Sequence, residues 1–186
     1  MNSKLSKTLY VSDLDGTLLN NNAMLNEKTI NILNDLIDKG VYFTIATARS
    51  IASVKFILKD LHLNLPIILM NGVCIFDPVN QKYVNIEAFS KEDIRILMSL
   101  INENQLKGFM YAIKDEKLAT YYEELSNSAL KHFHDERVQR YNKPFTQVER
   151  FSSLSGEPII YFILMDHKKK LEHIYRTVKT FPDINS

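Results

Sequence analysis

Only one cysteine, Cys74, occurs in 186 residues. That excludes an internal disulfide and fits a reducing cytosol. Cys74 follows an apolar run with no activating neighbour in sequence, so it reads as a small packed residue rather than a nucleophile. An excess of one charge is also missing: 23 basic and 22 acidic residues leave a net charge of +1. No basic stripe offers itself to a nucleic-acid backbone, and Lys168-Lys169-Lys170 reads as a solvated helix start. No apolar run approaches the ~20 residues of a membrane span, and residues 1–7 lack the apolar stretch of a signal peptide. The expectation is a cytoplasmic protein without membrane or nucleic-acid partners. The histidines, His62, His132, His134, His167 and His173, have no partners at zinc-site spacing and read as surface or packing residues. There is no internal repeat and no low-complexity segment.

What the chain does have is Leu9-Tyr10-Val11-Ser12-Asp13-Leu14-Asp15-Gly16-Thr17-Leu18-Leu19, a mostly apolar run ending in two carboxylates one residue apart. Side chains at i and i+2 of a strand share a face. Both carboxylates therefore lie near the C-terminal end of a first strand, where ligands bind in open α/β sheets. Two acidic groups this close repel unless a cation sits beside them or one holds a proton. The segment points to a divalent metal, to acid–base chemistry or to a nucleophilic carboxylate.

The periodicity predicts a buried strand over residues 9–13 and a helix capped by Asn26 and ended by Gly40. A buried strand over 41–46 follows, then a helix capped by Ser50 with Ile51, Val54, Leu58 and Leu61 on one face. A third strand, Ile67-Ile68-Leu69-Met70, stops at Asn71-Gly72. This βαβαβ pattern implies a mainly parallel sheet, with Asp13, Thr47 and Asn71 at neighbouring strand ends. The strands are apolar throughout, as expected where helices cover both faces. After Gly72 come a hairpin around Asp77-Pro78-Val79-Asn80, a helix opened by a Ser90/Asp93 capping box, and a hairpin around Asp115-Glu116. A helix over 122–134, an unpatterned stretch over 135–156, a strand over 158–164 and a helix over 167–180 complete the reading. The fold class is α/β, with a parallel core over 1–80 and a second α+β domain over 81–186.

The Asp13-Leu14-Asp15-Gly16-Thr17 segment resembles the first signature of the haloacid-dehalogenase-type phosphohydrolases. Ile45-Ala46-Thr47-Ala48-Arg49 resembles the second signature. Leu69-Met70-Asn71-Gly72 resembles the Asn-Gly after the third strand in the Cof-type subfamily with an α/β cap. The resemblance implies a Rossmann-type core with a cap. It implies Asp13 as the nucleophile that forms an aspartyl-phosphate and Asp15 as the general acid and base. It implies Mg²⁺ held by the Asp13 carboxylate and the Asp15 backbone carbonyl, and Thr47, Asn71 and Gly72 binding phosphate. The implied substrate is a small phosphorylated metabolite. Against these roles stand purely structural alternatives: Asp13 and Asp15 as strand-end loop caps, Thr47 as a β-branched strand residue, Asn71 as a turn former and Gly72 as a conformational residue. Arg49 is expected to pair with a carboxylate or shape its loop rather than do chemistry.

Two departures stand beside the resemblance. Ala48 occupies a position where the family commonly has glycine. The family's lysine signature and its Gly-Asp-x-x-x-Asp segment are not found; Lys55 and Lys59 do not occupy the lysine's place in the order. The resemblance therefore covers the first part of the family's length, and the expectation is a C-terminally truncated core and an incomplete cap. Two functions remain open: a Mg²⁺-dependent phosphomonoester hydrolase, or a non-catalytic protein that binds phosphate or metal weakly or assembles with another chain. Exposed sheet edges would invite a homodimer.

Overall fold

A computed structural model describes residues 8–154 and 156–180. The readings made on residues 1–7 and 181–186 lie outside the described residues. The chain is α/β and divides into two compact units, one ending at Ile86 and one beginning at Glu87. The division falls later than residue 80 because the strand Lys82–Ile86 is hydrogen-bonded to its predecessor in the first unit.

The first unit opens with β1 (Leu9–Ser12), α1 (Glu27–Asp38), β2 (Tyr42–Ile45), α2 (Ile51–Ile57) and β3 (Ile67–Leu69). β1 pairs parallel with β2, from Leu9 opposite Tyr42 to Ser12 opposite Ile45. A parallel bridge between Ala46 and Ile68 joins β3 on the other side. Asn26 caps α1 by accepting the Thr29 N–H at 2.8 Å. The helix closes with the Val41 N–H on the Leu36 carbonyl and the Gly40 N–H on the Ile37 carbonyl, the paired bonds of a Schellman ending. Ser50 takes the N-cap position of α2 without a side-chain cap bond. α2 is shorter than its apolar face, yet Val54, Leu58 and Leu61 are all buried. β4 (Cys74–Asp77) and β5 (Lys82–Ile86) form the expected hairpin, with β4 antiparallel to β3.

One expectation fails in this unit. β1 is not a buried strand: Leu9, Tyr10 and Val11 are 54%, 56% and 48% exposed. No described strand pairs with its outer edge, and burial of a parallel strand needs neighbours on both edges and both faces. Ile45, Leu69 and Cys74, in contrast, are fully buried.

The second unit is a four-stranded sheet with order β8-β7-β6-β9, built from β6 (Gly108–Lys114), β7 (Lys117–Tyr122), β8 (Thr146–Gln147) and β9 (Ile159–Leu164). Three helices accompany it: α3 (Lys91–Glu103), α4 (Ser128–Tyr141) and α5 (Lys168–Val178). The Ser90/Asp93 capping box opens α3 as the sequence indicates. Asp115 and Glu116, both with positive φ, make the tight β6–β7 turn, the conformation that matches strand twist in two-residue hairpins. Leu97, Ile101 and Leu106 pack with Ile174 and Val178 of α5. Met110 and Ala112 of β6 pack with Tyr121, Phe151 and Ile159.

The helix expected over 122–134 is displaced. Tyr122 ends β7, and α4 begins only after Asn127, whose side chain accepts the Leu130 N–H at 2.9 Å and donates to the Met165 carbonyl. The polar stretch after residue 134 continues α4 to Tyr141. The helix is supported from within by the Arg137 guanidinium lying 3.4 Å from the Phe133 ring centroid, one turn away, and from outside by Phe133 stacking on Phe109 of β6 with centroids 4.8 Å apart.

Candidate active site

Asp13 follows β1 in extended conformation. The next residues fold into a single turn closed by the Leu19 N–H on the Leu14 carbonyl at 3.0 Å. Gly16, with φ 75°, supplies the left-handed step of that turn. Leu14 is completely buried and anchors the turn, while Asp13 and Asp15 on either side of it are exposed. The alternation that places both carboxylates on one side thus persists past the end of the strand.

The loop after β2 is fastened to both neighbours. The Ala46 N–H donates to the Ser12 carbonyl at 2.9 Å, and the Thr47 N–H donates to the Ile68 carbonyl at 3.0 Å. Thr47 is buried, and its hydroxyl oxygen accepts the Arg49 N–H at 3.2 Å. The Thr47 carbonyl accepts the Asn71 N–H, and the Arg49 carbonyl accepts the Met70 N–H, each at 3.2 Å. The turn after β3 therefore sits directly on the turn after β2.

Met70, Asn71 and Gly72 have φ of 52°, 59° and 95°. Two successive non-glycine residues in the left-handed region carry strain of roughly 1–3 kcal/mol each, and such strain clusters at ligand sites. Met70 is buried, whereas Asn71 and Gly72 are exposed.

Arg49 grips Asp15. Its Nε donates to Oδ2 at 2.8 Å and its Nη2 to Oδ1 at 2.7 Å. These bonds are the main cause that holds the Asp15 carboxyl below the usual carboxylate range; partial burial opposes the shift and the guanidinium charge adds to it. The reading of Arg49 as a carboxylate partner is met at Asp15 itself. The Asp13 carboxylate has no hydrogen-bond or ion-pair partner in the described residues.

The donors at this site fit the needs of Mg²⁺. The open Asp13 carboxylate and the Asp15 carbonyl are hard oxygen donors. They suit an ion held by one or two carboxylates that keeps its waters and takes a substrate phosphate. No group of three or more His, Cys, Asp or Glu residues that could hold a metal occurs among the described residues. A cation here would fill its shell mainly with water and phosphate oxygen.

The structure brings Asp13, Asp15, Thr47, Asn71 and Gly72 to the C-terminal ends of three neighbouring strands. It also contains a polar cluster in the second unit, around Lys143 and Tyr111, that the sequence reading did not single out. Lys143 lies in the unpatterned stretch, and nothing local marks it as buried.

A parallel sheet with an acidic pair and a strained turn at its strand ends is an α/β architecture of the kind that binds ligands at the carboxyl ends of its strands. Residues 10–185 match the family of haloacid dehalogenase-like hydrolases, and the chain belongs to that family. A haloacid dehalogenase-like hydrolase from Bacteroides thetaiotaomicron has the same fold, with a TM-score of 0.78 at 17% identity over 97% of this chain and 66% of that chain. A Mycoplasma genitalium protein provisionally named as a phosphatase is 32% identical over 120 residues, or 64% of this chain and 42% of that protein. The glucosyl-3-phosphoglycerate/mannosyl-3-phosphoglycerate phosphatase of Persephonella marina is 30% identical over 105 residues, or 56% of this chain and 39% of that protein. The matches thus span about two fifths of these curated relatives. No described helix is long and apolar enough to cross a membrane.

Proposed function

We propose that the chain is a Mg²⁺-dependent phosphomonoester hydrolase that acts on a small phosphorylated metabolite through an aspartyl-phosphate on Asp13. The observation that carries this reading is the unpartnered Asp13 carboxylate at the end of β1, flanked by the Thr47 and Asn71 turns hydrogen-bonded to each other. A carboxylate free of hydrogen bonds and open to solvent is available as a nucleophile.

In this reading an Asp13 oxygen attacks phosphorus and the ester oxygen leaves as an alcohol, taking a proton from Asp15. Asp15, again a carboxylate, then accepts a proton from the water that hydrolyses the aspartyl-phosphate. The Thr47 hydroxyl and the exposed backbone at Asn71 and Gly72 hold the phosphoryl oxygens. When bound, Mg²⁺ supplies the positive charge that lets an anionic nucleophile meet an anionic phosphate. The two domains of the reading are a catalytic core in the first unit and a cap domain in the second. The Persephonella relative named for sugar-linked phosphoglycerates supports a small phosphorylated metabolite as substrate. The lone, buried Cys74 supports a cytoplasmic setting.

The test is phosphate release with Mg²⁺ from this chain and from Asp13→Asn. Turnover by the parent and its loss in the variant is expected; equal rates would remove Asp13 as nucleophile.

A second reading is favoured by one observation, the half-exposed β1 with its open outer edge. An unpaired edge next to apolar side chains is a template for another strand. A non-catalytic chain that pairs along β1, with a second copy or another polypeptide, follows from it. Light scattering decides: a monomeric mass together with robust turnover sinks this reading.

A further inference from the structure

Lys143 is 6% exposed, and lysine is almost never buried without a partner of opposite charge. Its Nζ lies 3.2 Å from the Tyr111 hydroxyl oxygen, and 4.3 and 5.1 Å from the ring centroids of Tyr111 and Phe145. No carboxylate among the described residues pairs with it. The charge that adds to the effect of its burial is another cation, Arg137 of α4. Arg137 itself bonds the Glu136 carboxylate and the Phe133 carbonyl.

Tyr111 sits in β6 opposite Thr120 of β7 and Tyr161 of β9. Directly paired residues share a face, so these three form one row on the sheet. The Thr120 hydroxyl is buried with no hydrogen-bond partner among the described residues. The β6–β9 register breaks immediately after Tyr111, and bulges of this kind re-aim side chains near functional sites. The residues flanking Lys143, Asn142 and Pro144, are exposed.

The donor count is lopsided. A protonated Lys143 has three N–H groups and uses one on the Tyr111 oxygen, which leaves the Tyr111 O–H free to donate in turn. The Lys143 ammonium and the Tyr111 hydroxyl thus keep donors free, with no carboxylate among the described residues paired to the ammonium. An oxyanion takes up the free donors and the charge together. We propose that Lys143 and Tyr111 form an oxyanion-binding subsite in the second unit, taking the carboxylate or phosphoryl group of a small molecule. The proposal is independent of the Asp13 chemistry.

Burial and the Arg137 charge push the Lys143 amine down to about 7. The other groups facing it are the Tyr111 hydroxyl from β6, the Tyr161 ring beside Tyr111 from β9, and His134 of α4 next to Phe145. An anion that settles on the amine favours its charged form, so binding above pH 7 takes up a proton.

The experiment is calorimetric titration of the full chain with inorganic phosphate and, separately, with acetate, in two buffers of different ionisation enthalpy. The variants are Lys143→Met and Tyr111→Phe, with Asp13→Asn as a control for phosphate bound in the first unit. Saturable binding is expected for at least one of the two anions, with proton uptake above pH 7. About tenfold or greater weakening is expected in Lys143→Met and a smaller loss in Tyr111→Phe. The anion that binds identifies the group as phosphoryl or carboxylate. Tyr111→Phe removes a single oxygen, so it tests the site even where Lys143→Met perturbs folding. No saturable binding of either anion, or binding abolished by Asp13→Asn and untouched by Lys143→Met, overturns the proposal.

Discussion

Arg49 holds Asp15 by a two-pronged bond, with contacts of 2.8 and 2.7 Å. The guanidinium fork matches a carboxylate, and it matches a phosphoryl group equally well. In the arrangement seen, Asp15 is kept as a carboxylate, the form that accepts a proton from water. For the acid role proposed above it must first acquire a proton, which Arg49 opposes. A phosphoryl group that draws Arg49 toward itself would relieve that opposition.

The first prediction concerns this pair. Arg49→Ala removes the main cause of the Asp15 shift, so the Asp15 carboxyl rises toward its ordinary range. Carboxyl-carbon NMR titration of the parent and variant measures this directly; superimposable curves would refute it. The sign for stability follows from linkage: a carboxyl depressed in the folded state stabilises above its unfolded value, and that contribution disappears as pH falls through the folded one. Asp15 is half exposed, so the loss is at most about 1 kcal/mol.

A second prediction concerns Gly108, where β6 and β9 approach most closely. A Cβ built there collides with the Ile163 carbonyl of the backbone, and the Leu164 Cα lies just beyond at 3.1 Å. Neither atom can yield as a flexible side chain would. Gly108→Ala therefore forces β6 and β9 apart and is expected to destabilise by roughly 1–3 kcal/mol or more, as overpacked sites do. Thermal unfolding of the variant checks it, and an unchanged midpoint would contradict the β6–β9 register.

Much of the first unit was legible because its signals are local. Asn26, Gly40 and the apolar runs before Asp13, Thr47 and Asn71 each act within a few residues, and they carried the elements and the candidate site together. The exposure of β1 was not legible, since an apolar strand reads as buried whatever lies on its other edge. The α4 boundaries were missed for a related reason. Residues 135–141 are mostly polar, and α4 is anchored by burial of Leu130 and Tyr141 and by Phe133 stacking on Phe109 of β6, which the local pattern does not show. Lys143 was invisible because its burial depends on β6, which is distant in sequence. Its neighbours Asn142 and Pro144 signal only a helix end.

The third prediction is that Cys74 is chemically quiet. It is completely buried, and burial pushes its thiol up to about 11. The thiolate is the reactive species, so labelling with a disulfide reagent at neutral pH should be far slower than for a free thiol and should accelerate only on denaturation. Rapid stoichiometric labelling of the native chain would show that β4 is less securely packed against β3 than described.

The last prediction joins Lys143 to stability. The folded chain holds this amine at about 7, against 10.5 for an ordinary lysine. Below pH 7 the folded and unfolded forms both carry the proton, so this group gives no slope, and the folded form bears the full penalty of a buried cation beside Arg137. Between pH 7 and 10.5 the unfolded chain binds more protons than the folded one, and its contribution makes stability rise with pH. Lys143→Met replaces the amine with an apolar side chain of similar length. Replacing buried charges in this way is commonly stabilising by about 1–4 kcal/mol. The variant should therefore be more stable than the parent at and below pH 7, and the difference should shrink as pH rises toward 10.5. Chemical denaturation of both chains across that window measures the difference directly, which cancels the titration of every other group. A constant difference at all pH values would mean that Lys143 is not held neutral by its surroundings.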